Sequence, residues 1–482
     1  MFLNDGSAAR PLFATAFLIA LTLTCAAHAR AQSDAATSAP NDKSMSSPRE
    51  AEVKSPASVP DATSPGAADA QSGGGQSDSG AKSGGTQSAS SKAAGLIRGA
   101  KARERNFPER SSRLAIGLGT KYVNAVLRGM RQGAGFPFGV ELTTADAIPG
   151  VEFRLTAQTS TKLYHLLEAE AYVPRVFDDK THADVWFDYT RRKEDDFFGI
   201  GPRIPRTFET NYSLEQRSFN AGLFRDFDER TQAGVYTRVS NGRAFRGEDD
   251  SLPSINTFFS GSPAAPRTRF LPGLDTTAEI LSYGAYALFD GRDQSRGLTR
   301  GAYLYGRLAS NDGLDRRAQF DDYGWFETEF DARGYVPLGG DRASLALRTY
   351  ALLNDPKGNS QMPFYEMSFL GGRAHVRGYD NYRYFGENLL MFTVEPRATV
   401  WKKDERRGAD VFVFGDAGQV WGDSRSLTDP TVLRNDKFSS SNWRASAGAG
   451  AQYRFSRDFA FRLEFARSNE ATKLYFSFSR GF

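Results

Sequence analysis

Groups able to make or break covalent bonds are scarce in this chain. Its 482 residues include one cysteine, Cys25, and four histidines, His28, His165, His182 and His375. No two histidines stand at i, i+4, so a zinc-protease helix has no support. No G-x-S-x-G elbow and no Ser-His-Asp spacing is present. No catalytic residue, metal or cofactor is expected, and the chain is not expected to be an enzyme. A hydrolase using His165 or His182 has the least support of the possible functions. His165 reads as a packed or lipid-facing residue and His375 as structural. What remains is charge set at intervals. Arg377 lies in Val376-Arg377-Gly378-Tyr379, shortly after the pair Gly371-Gly372; Glu395-x-Arg397 follows, and then Asp416. What such groups can reach depends on the elements that carry them.

Those elements alternate with period two from about Ser112 to Phe482. Residues 458–468 put Phe459, Phe461, Leu463 and Phe465 on one face and Arg462 and Glu464 on the other. Residues 326–333 set Phe326, Thr328, Phe330 and Ala332 against Glu327, Glu329, Asp331 and Arg333. Successive strand side chains point to opposite faces, so this is strand code. Charges of both signs on one face and a broad aromatic face on the other fit a transmembrane barrel with a wet lumen. Composition agrees. Charged residues are 24 % and hydrophobic ones 40 %, with 37 Phe and 19 Tyr; a multi-span helical protein needs ~20 apolar residues per span. The formal net charge of +4 is spread too thinly to indicate a nucleic-acid partner.

Strand-like segments fall in 112–124, 136–144, 150–159, 162–173, 183–191, 212–225, 231–240, 276–290, 300–309, 322–335, 342–354, 387–401, 409–421, 442–455, 458–467 and 472–482, sixteen in all. Each is near the ~9–11 residues that a tilted membrane strand needs. Long connections (192–211, 241–275, 355–386, 422–441) follow odd-numbered strands and short ones follow even-numbered strands. Long outer loops and short inner turns are the habit of outer-membrane barrels. The predicted fold is therefore all-β, an antiparallel transmembrane β-barrel of about sixteen strands in the Gram-negative outer membrane. An even count puts both chain ends in the periplasm. The five tryptophans, Trp186, Trp325, Trp401, Trp421 and Trp443, read equally as interfacial girdles or as ordinary packing.

Three segments are expected. Residues 1–31 read as a signal peptide: Arg10 precedes the apolar run 11–29, and small residues close it at Ala27-His28-Ala29 or Ala29-Arg30-Ala31. A retained anchor is the alternative. Removal of this segment would leave no thiol. Residues 32–105 are Ser, Ala, Gly, Asp and Pro without one aromatic residue. Such a sequence cannot bury enough apolar area to offset ~1–2 kcal/mol of chain entropy per residue, so a disordered tail is expected. Within it, 91–104 reads either as a solvated linker or as a short basic helix plugging the lumen. Residues 106–482 are assigned to the barrel.

The end of the chain, TKLYFSFSRGF, sets Leu474, Phe476, Phe478 and Phe482 on one face. A last strand ending in Phe resembles the signal by which outer-membrane barrels are recognised for assembly. The ordered set of Gly371-Gly372, Val376-Arg377-Gly378-Tyr379, Glu395-x-Arg397 and the Asp416-x-Gly418 strand resembles the BamA/TamA superfamily of assembly and secretion barrels, the bacterial surface antigen family. FFGIGP at 197–202 and FDGRDQSRGLTRG at 289–301 are similar to further family motifs. The resemblance spans roughly 112–482. It implies that the loop folds back into the lumen, with Arg377 at its tip, Asp416 as its wall partner and Glu395 as a second. Physical reasoning agrees. A charge on the lipid face costs up to ~2–4 kcal/mol, so Asp416, Glu395 and Arg397 should face inward. There an arginine gains from bidentate bonds to a carboxylate. The other reading is that Arg377 and Asp416 line a watery pore and never meet.

The family usually carries periplasmic POTRA domains, and the composition of 32–105 does not supply one. Three functions stay open: an insertase or translocase whose seam, Lys473–Phe482 against Leu114–Tyr122, receives a client strand; a channel or structural barrel with no protein client; and the hydrolase. The implied partners are outer-membrane lipids, unfolded outer-membrane or secreted protein clients, and the barrel assembly machinery that would insert this chain.

Overall fold

The computed structural model describes residues 115–116, 123–126, 133–262, 269–293, 298–314, 322–422, 437–455 and 460–477. The segments 1–31 and 32–105, with the 91–104 stretch, and the terminal Phe478 and Phe482 lie outside the described residues.

The alternating runs become strands. In chain order they are β1 (Ala115–Ile116), β2 (Val123–Val126), β3 (Pro137–Ile148), β4 (Val151–Ser160), β5 (His165–Val173), β6 (Thr181–Phe197), β7 (Thr210–Asp226) and β8 (Thr231–Arg246). Then come β9 (Phe259–Ser260), β10 (Arg269–Phe270), β11 (Thr277–Asp290), β12 (Gly301–Gly313), β13 (Gly324–Pro337) and β14 (Ala343–Pro356). The last are β15 (Ser368–Leu370), β16 (Tyr384–Gly386), β17 (Asn388–Lys402), β18 (Gly408–Trp421), β19 (Arg444–Arg454), β20 (Ala460–Ser468) and β21 (Thr472–Ser477).

Seventeen of these form one sheet. Each pairs antiparallel with the next in chain order, β8 passing to β11 and β14 to β17. The small pairs β9–β10 and β15–β16 sit within long connections. The expectation of one strand over 112–124 is corrected. The segment holds β1 and the start of β2, which pair with each other, Ala115 opposite Val126. Gly117 and Gly119 stand between them, and glycine weakens a strand interior. Sixteen strands remain besides the two-residue β1. Connections 198–209, 247–276, 357–387 and 422–443 gather at one end, and 174–180, 227–230, 338–342 and 403–407 at the other. The sheet is rolled: Arg203, just after β6, donates to Asn442 Oδ1 before β19 at 3.0 Å.

Alternation sorts the two faces. Phe326 and Phe330 are 55 % and 42 % exposed, whereas Glu329 and Asp331 between and beside them are buried. The outside is apolar, as a lipid-facing wall must be where polar groups find no water. The inside differs from a simple wet lumen. Tyr172, Phe224, Tyr236, Tyr286, Tyr303 and Tyr305 pack together on the inner wall. A second core joins Phe197, Tyr212, Phe364, Tyr365 and Phe385 where the long connections fold in. A loop entering the barrel brings its own apolar side chains, and these need apolar wall residues to cover them. The tryptophans divide accordingly: Trp186 and Trp325 are buried inside. Outside, Trp401 stacks on Tyr453, and Trp421 and Trp443 flank Phe438. Ala409 pairs with Trp401. Between Ala409 and Trp421, β18 climbs about 40 Å along the strand, or roughly 28 Å along the normal at ~45° tilt. That is close to the thickness of a hydrocarbon layer.

Candidate functional site

The connection between β14 and β17 turns inward and docks on the wall made by β17, β18, β20 and β21. Its conformation depends on glycine. Gly371 and Gly378 have φ of 115° and 90°, a region that costs other residues a steric penalty. A Cβ on Gly378 would also stand 3.0 Å from the β20 backbone at Arg467 and Ser468. Gly372 has φ 86°. Val376 is fully buried among Leu370, Tyr379, Leu389, Met391 and Val420, which anchors the loop tip. The Tyr379 hydroxyl donates to Asn469 Oδ1 at 2.7 Å.

Arg377 sits at the tip. Its Nε and Nη2 donate to Asp416 Oδ2 and Oδ1 at 2.7 and 2.8 Å, a bidentate pair. Its backbone N–H donates to the same carboxylate at 3.1 Å. Nη1 donates to Glu395 Oε2 at 3.1 Å and to Glu464 Oε1 at 2.6 Å. Arg377 is 4 % exposed and Glu395 0 %. Arg462 lies beside it, donating to Glu395 at 2.7 Å and Glu464 at 3.0 Å. Arg397 completes Glu395 at 2.8 Å, and Arg373 reaches Glu464 at 3.0 Å. Four arginines thus share three carboxylates. Buried charge is tolerated only when it is paired, and each guanidinium and carboxylate here has at least one charged partner across three strands and one loop, although Arg462 Nε and Nη1 make no hydrogen bond. The guanidinium of Arg377 lies 3.4 Å over the Phe414 ring, and that of Arg462 3.7 Å over Phe412; such contacts gain most when desolvated. Gly448 and Gly450 on β19 leave room for those rings, since a Cβ at either would stand 2.3 Å from one.

Of the residues singled out in the sequence, Val376, Arg377, Gly378, Tyr379, Glu395 and Asp416 come together here. Gly371 and Gly372 shape the loop behind them. Phe476 lies elsewhere, on the outer face of β21 and 62 % exposed. Glu464, Arg462, Arg373, Phe412 and Phe414 join the cluster without having been assigned to it. Alternation had placed Arg462 and Glu464 inward, but no local signal says which inward residues of separate strands converge. FFGIGP packs on the same loop: Ile200 bridges to Phe385, and Gly201 N–H donates to the Phe385 carbonyl at 2.7 Å.

The last strand is held from inside by this loop. Its inward residues are Lys473, Tyr475 and Ser477. Lys473 pairs with Asp380. Tyr475 Oη accepts from Gly378 N–H at 3.2 Å, and Ser477 Oγ accepts from Arg373 Nη2 at 2.6 Å. Among the described residues β21 has ladder bonds to β20 alone. No group of three or more His, Cys, Asp or Glu among the described residues could hold a metal ion.

A rolled antiparallel sheet of this size, apolar outside and plugged by an inserted loop, is an outer-membrane barrel. The chain belongs to the Omp85 superfamily, whose domain model matches residues 149–482. The match begins in the β3–β4 turn, so the earliest strands lie before it. Among solved structures, BamA from Haemophilus ducreyi lacking POTRA domains 1–3 is similar at 14 % identity and TM-score 0.54, covering 81 % of this chain and 78 % of that one. CdiB from Escherichia coli is similar at 12 % identity and TM-score 0.47, covering 75 % of this chain and 63 % of that one. CdiB from Acinetobacter baumannii is similar at 12 % identity and TM-score 0.44, covering 75 % and 57 %. No curated protein sequence matches this one. Membership implies the Gram-negative outer membrane and a family of transporters and assembly factors that are in general not enzymes.

Proposed function

We propose that this barrel acts in the assembly, insertion or translocation of proteins at the outer membrane, without enzymatic chemistry. Its chain ends and short turns lie in the periplasm and its long loops outside. The domain division is a signal peptide over 1–31, a disordered tail over 32–105 and the barrel over 106–482. Clients are unfolded outer-membrane or secreted proteins, outer-membrane lipids surround the barrel, and the barrel assembly machinery inserts it with Phe476, Phe478 and Phe482 as the signal. The observation that supports this reading is the hold of the lumen loop on β21. A strand with a ladder on one side can accept another strand on the other by backbone hydrogen bonding, and the docked loop fixes it in place for that exchange. The role assigned to Arg377, Asp416 and Glu395 is to keep the loop docked.

The test is reconstitution. The protein is placed in liposomes, a urea-denatured outer-membrane barrel is added, and folding is followed by heat-modifiable gel mobility. Faster folding than in empty liposomes, reduced in Arg377→Ala, is the expected result. Equal rates with and without the protein, together with ion conductance across the same vesicles, would favour the channel reading instead.

A further inference from the structure

The outer face of β5–β8 and β11 changes character abruptly at its long-loop end. Cross-strand register sets Ala169, Phe187, Phe219, Val239 and Leu281 side by side in one outward row. The next row toward the long loops is Leu167, Tyr189, Arg217, Asn241 and Glu279, and the one beyond is His165, Arg191, Glu215, Arg243 and Thr277. Lys193 follows Arg191 on the same face. The apolar rows are lipid-facing: Phe187, and Leu223 and Val235 in a row further from the long loops, are all exposed. The cations therefore stand at the water boundary of the membrane. Strand arithmetic agrees. Arg225 and Arg217 bracket the outward apolar stretch of β7, about 26 Å apart along the strand, or ~20 Å along the normal at ~40° tilt. The apolar band of such barrels is ~25 Å tall.

The geometry points to a binding surface for phosphate-bearing glycolipid headgroups of the outer leaflet, held by Arg191, Arg217 and Arg243. Arg191 and Arg243 lie two strands apart, about 10 Å, with Arg217 one row lower on the strand between them. Arginine forks match phosphate oxygens bidentately. The carboxylates nearby do not close the site. Glu215 pairs with Arg217 at 2.7 Å, and Glu248 pairs with Arg191 at 3.1 Å and Lys193 at 3.0 Å. These pairs are partly exposed, and exposed pairs are individually weak. Glu279 is engaged by Asn241 at 3.0 Å. Arg243 is exposed and makes no ion pair among the described residues. Tyr189 lies under the Arg217 guanidinium, 5.7 Å from ring centroid to carbon, an amphipathic ring of the sort that settles at headgroup level. The other flank carries fewer cations: the long-loop end of β17–β19 has Phe392, Ala417 and Ala445 in one outward row, Arg467 stands alone on the outer face of β20, and Lys357 beyond β14 is paired with Asp312.

The surface rests on the proposed orientation, long loops outward. The probe is bis-phosphorylated lipid A, offered to the full-length purified barrel in detergent and counted by native mass spectrometry. Wild type is expected to retain it at least tenfold better than dephosphorylated lipid A. The Arg191→Ala/Arg217→Ala/Arg243→Ala variant is expected to lose at least tenfold, while Arg225→Ala at the opposite rim does not. Heat-modifiable mobility reports folding, and Arg243→Ala alone, expected to lose about threefold, serves should the triple variant misfold. Equal retention by the arginine variants, or equal retention of dephosphorylated lipid A, would overturn the proposal. Equal displacement by phosphatidylglycerol would overturn the glycolipid choice and leave a general anionic-lipid surface. Orientation is read separately, by antibody access in intact cells to an epitope inserted after Asp250. Inaccessibility there, with binding intact, would reject the orientation rather than the site.

Discussion

Removal of the Arg377 side chain is the most informative single perturbation of the docked loop. Arg377→Ala deletes four side-chain hydrogen bonds. The consequences for the three carboxylates differ. Glu395 keeps Arg397 and Arg462, and Glu464 keeps Arg373 and Arg462. Asp416 keeps only the backbone N–H of residue 377 and loses its guanidinium partner. Stranding one buried carboxylate costs about 3–5 kcal/mol. That raises the population of undocked loop by roughly two to three and a half orders of magnitude, at ~1.4 kcal/mol per tenfold. Amide hydrogen exchange over 371–384 reads this directly, as protection lost relative to β13 and β14. A double-mutant cycle then isolates the pair. Asp416→Ala should cost less than Arg377→Ala, because Arg377 would still hold Glu395 and Glu464. The double variant should be about 1–3 kcal/mol less damaged than the sum of the two singles. Unchanged protection in Arg377→Ala, or strict additivity in the cycle, would refute the claim that this ion pair holds the loop.

Other outcomes follow from the same geometry. Gly448→Ala puts a Cβ 2.3 Å from the Phe414 ring and 2.2 Å from the Phe465 carbonyl. It should destabilise the barrel by about 1–3 kcal/mol in urea midpoint and lower loop protection, whereas Gly415→Ala, which has open space around it, should do neither. Phe330→Arg places a cation on the lipid face and should cost ~2–4 kcal/mol, seen as a lowered urea midpoint in liposomes. In the loop after β6, burial and then the neighbouring Asp380 raise the pKa of Glu209 above the ordinary 4.5. Its favourable contribution is therefore fully present below about pH 4.5 and is lost as pH rises through the raised value. Protease resistance of the 198–209 loop should fall from pH 5 to pH 8 in wild type and change little in Glu209→Gln.

Much of this architecture is legible in the sequence because a barrel wall has one dominant rule, apolar out and polar in. That rule located β13, β14 and β20 and turned Glu395, Arg397, Arg462 and Glu464 inward. It fails where both faces are apolar. In VFVFGDAG, Val411 and Val413 face out while Phe412 and Phe414 face in, so a local pattern cannot show that the phenylalanines serve as platforms for arginines. It fails again where strands are short, as with β1 and β2. Convergence of Glu464 on Arg377 spans 87 positions and is set by the roll of the sheet, which no local spacing encodes. The resemblance to the family supplied the Arg377–Asp416 pairing; the third carboxylate, and the hold of the loop on Lys473, Tyr475 and Ser477, came from the three-dimensional arrangement.

The proposed docking of protein clients at the edge of β21 is open to one direct measurement. A photo-crosslinking residue at Leu474 or Phe476, whose side chains face outward and leave the loop contacts intact, is irradiated in cells, and the adducts are identified by mass spectrometry. Adducts with outer-membrane or secreted proteins that diminish in Arg377→Ala are the expected result. Adducts with lipid and with this chain's own first strands alone, unchanged in that variant, would contradict it.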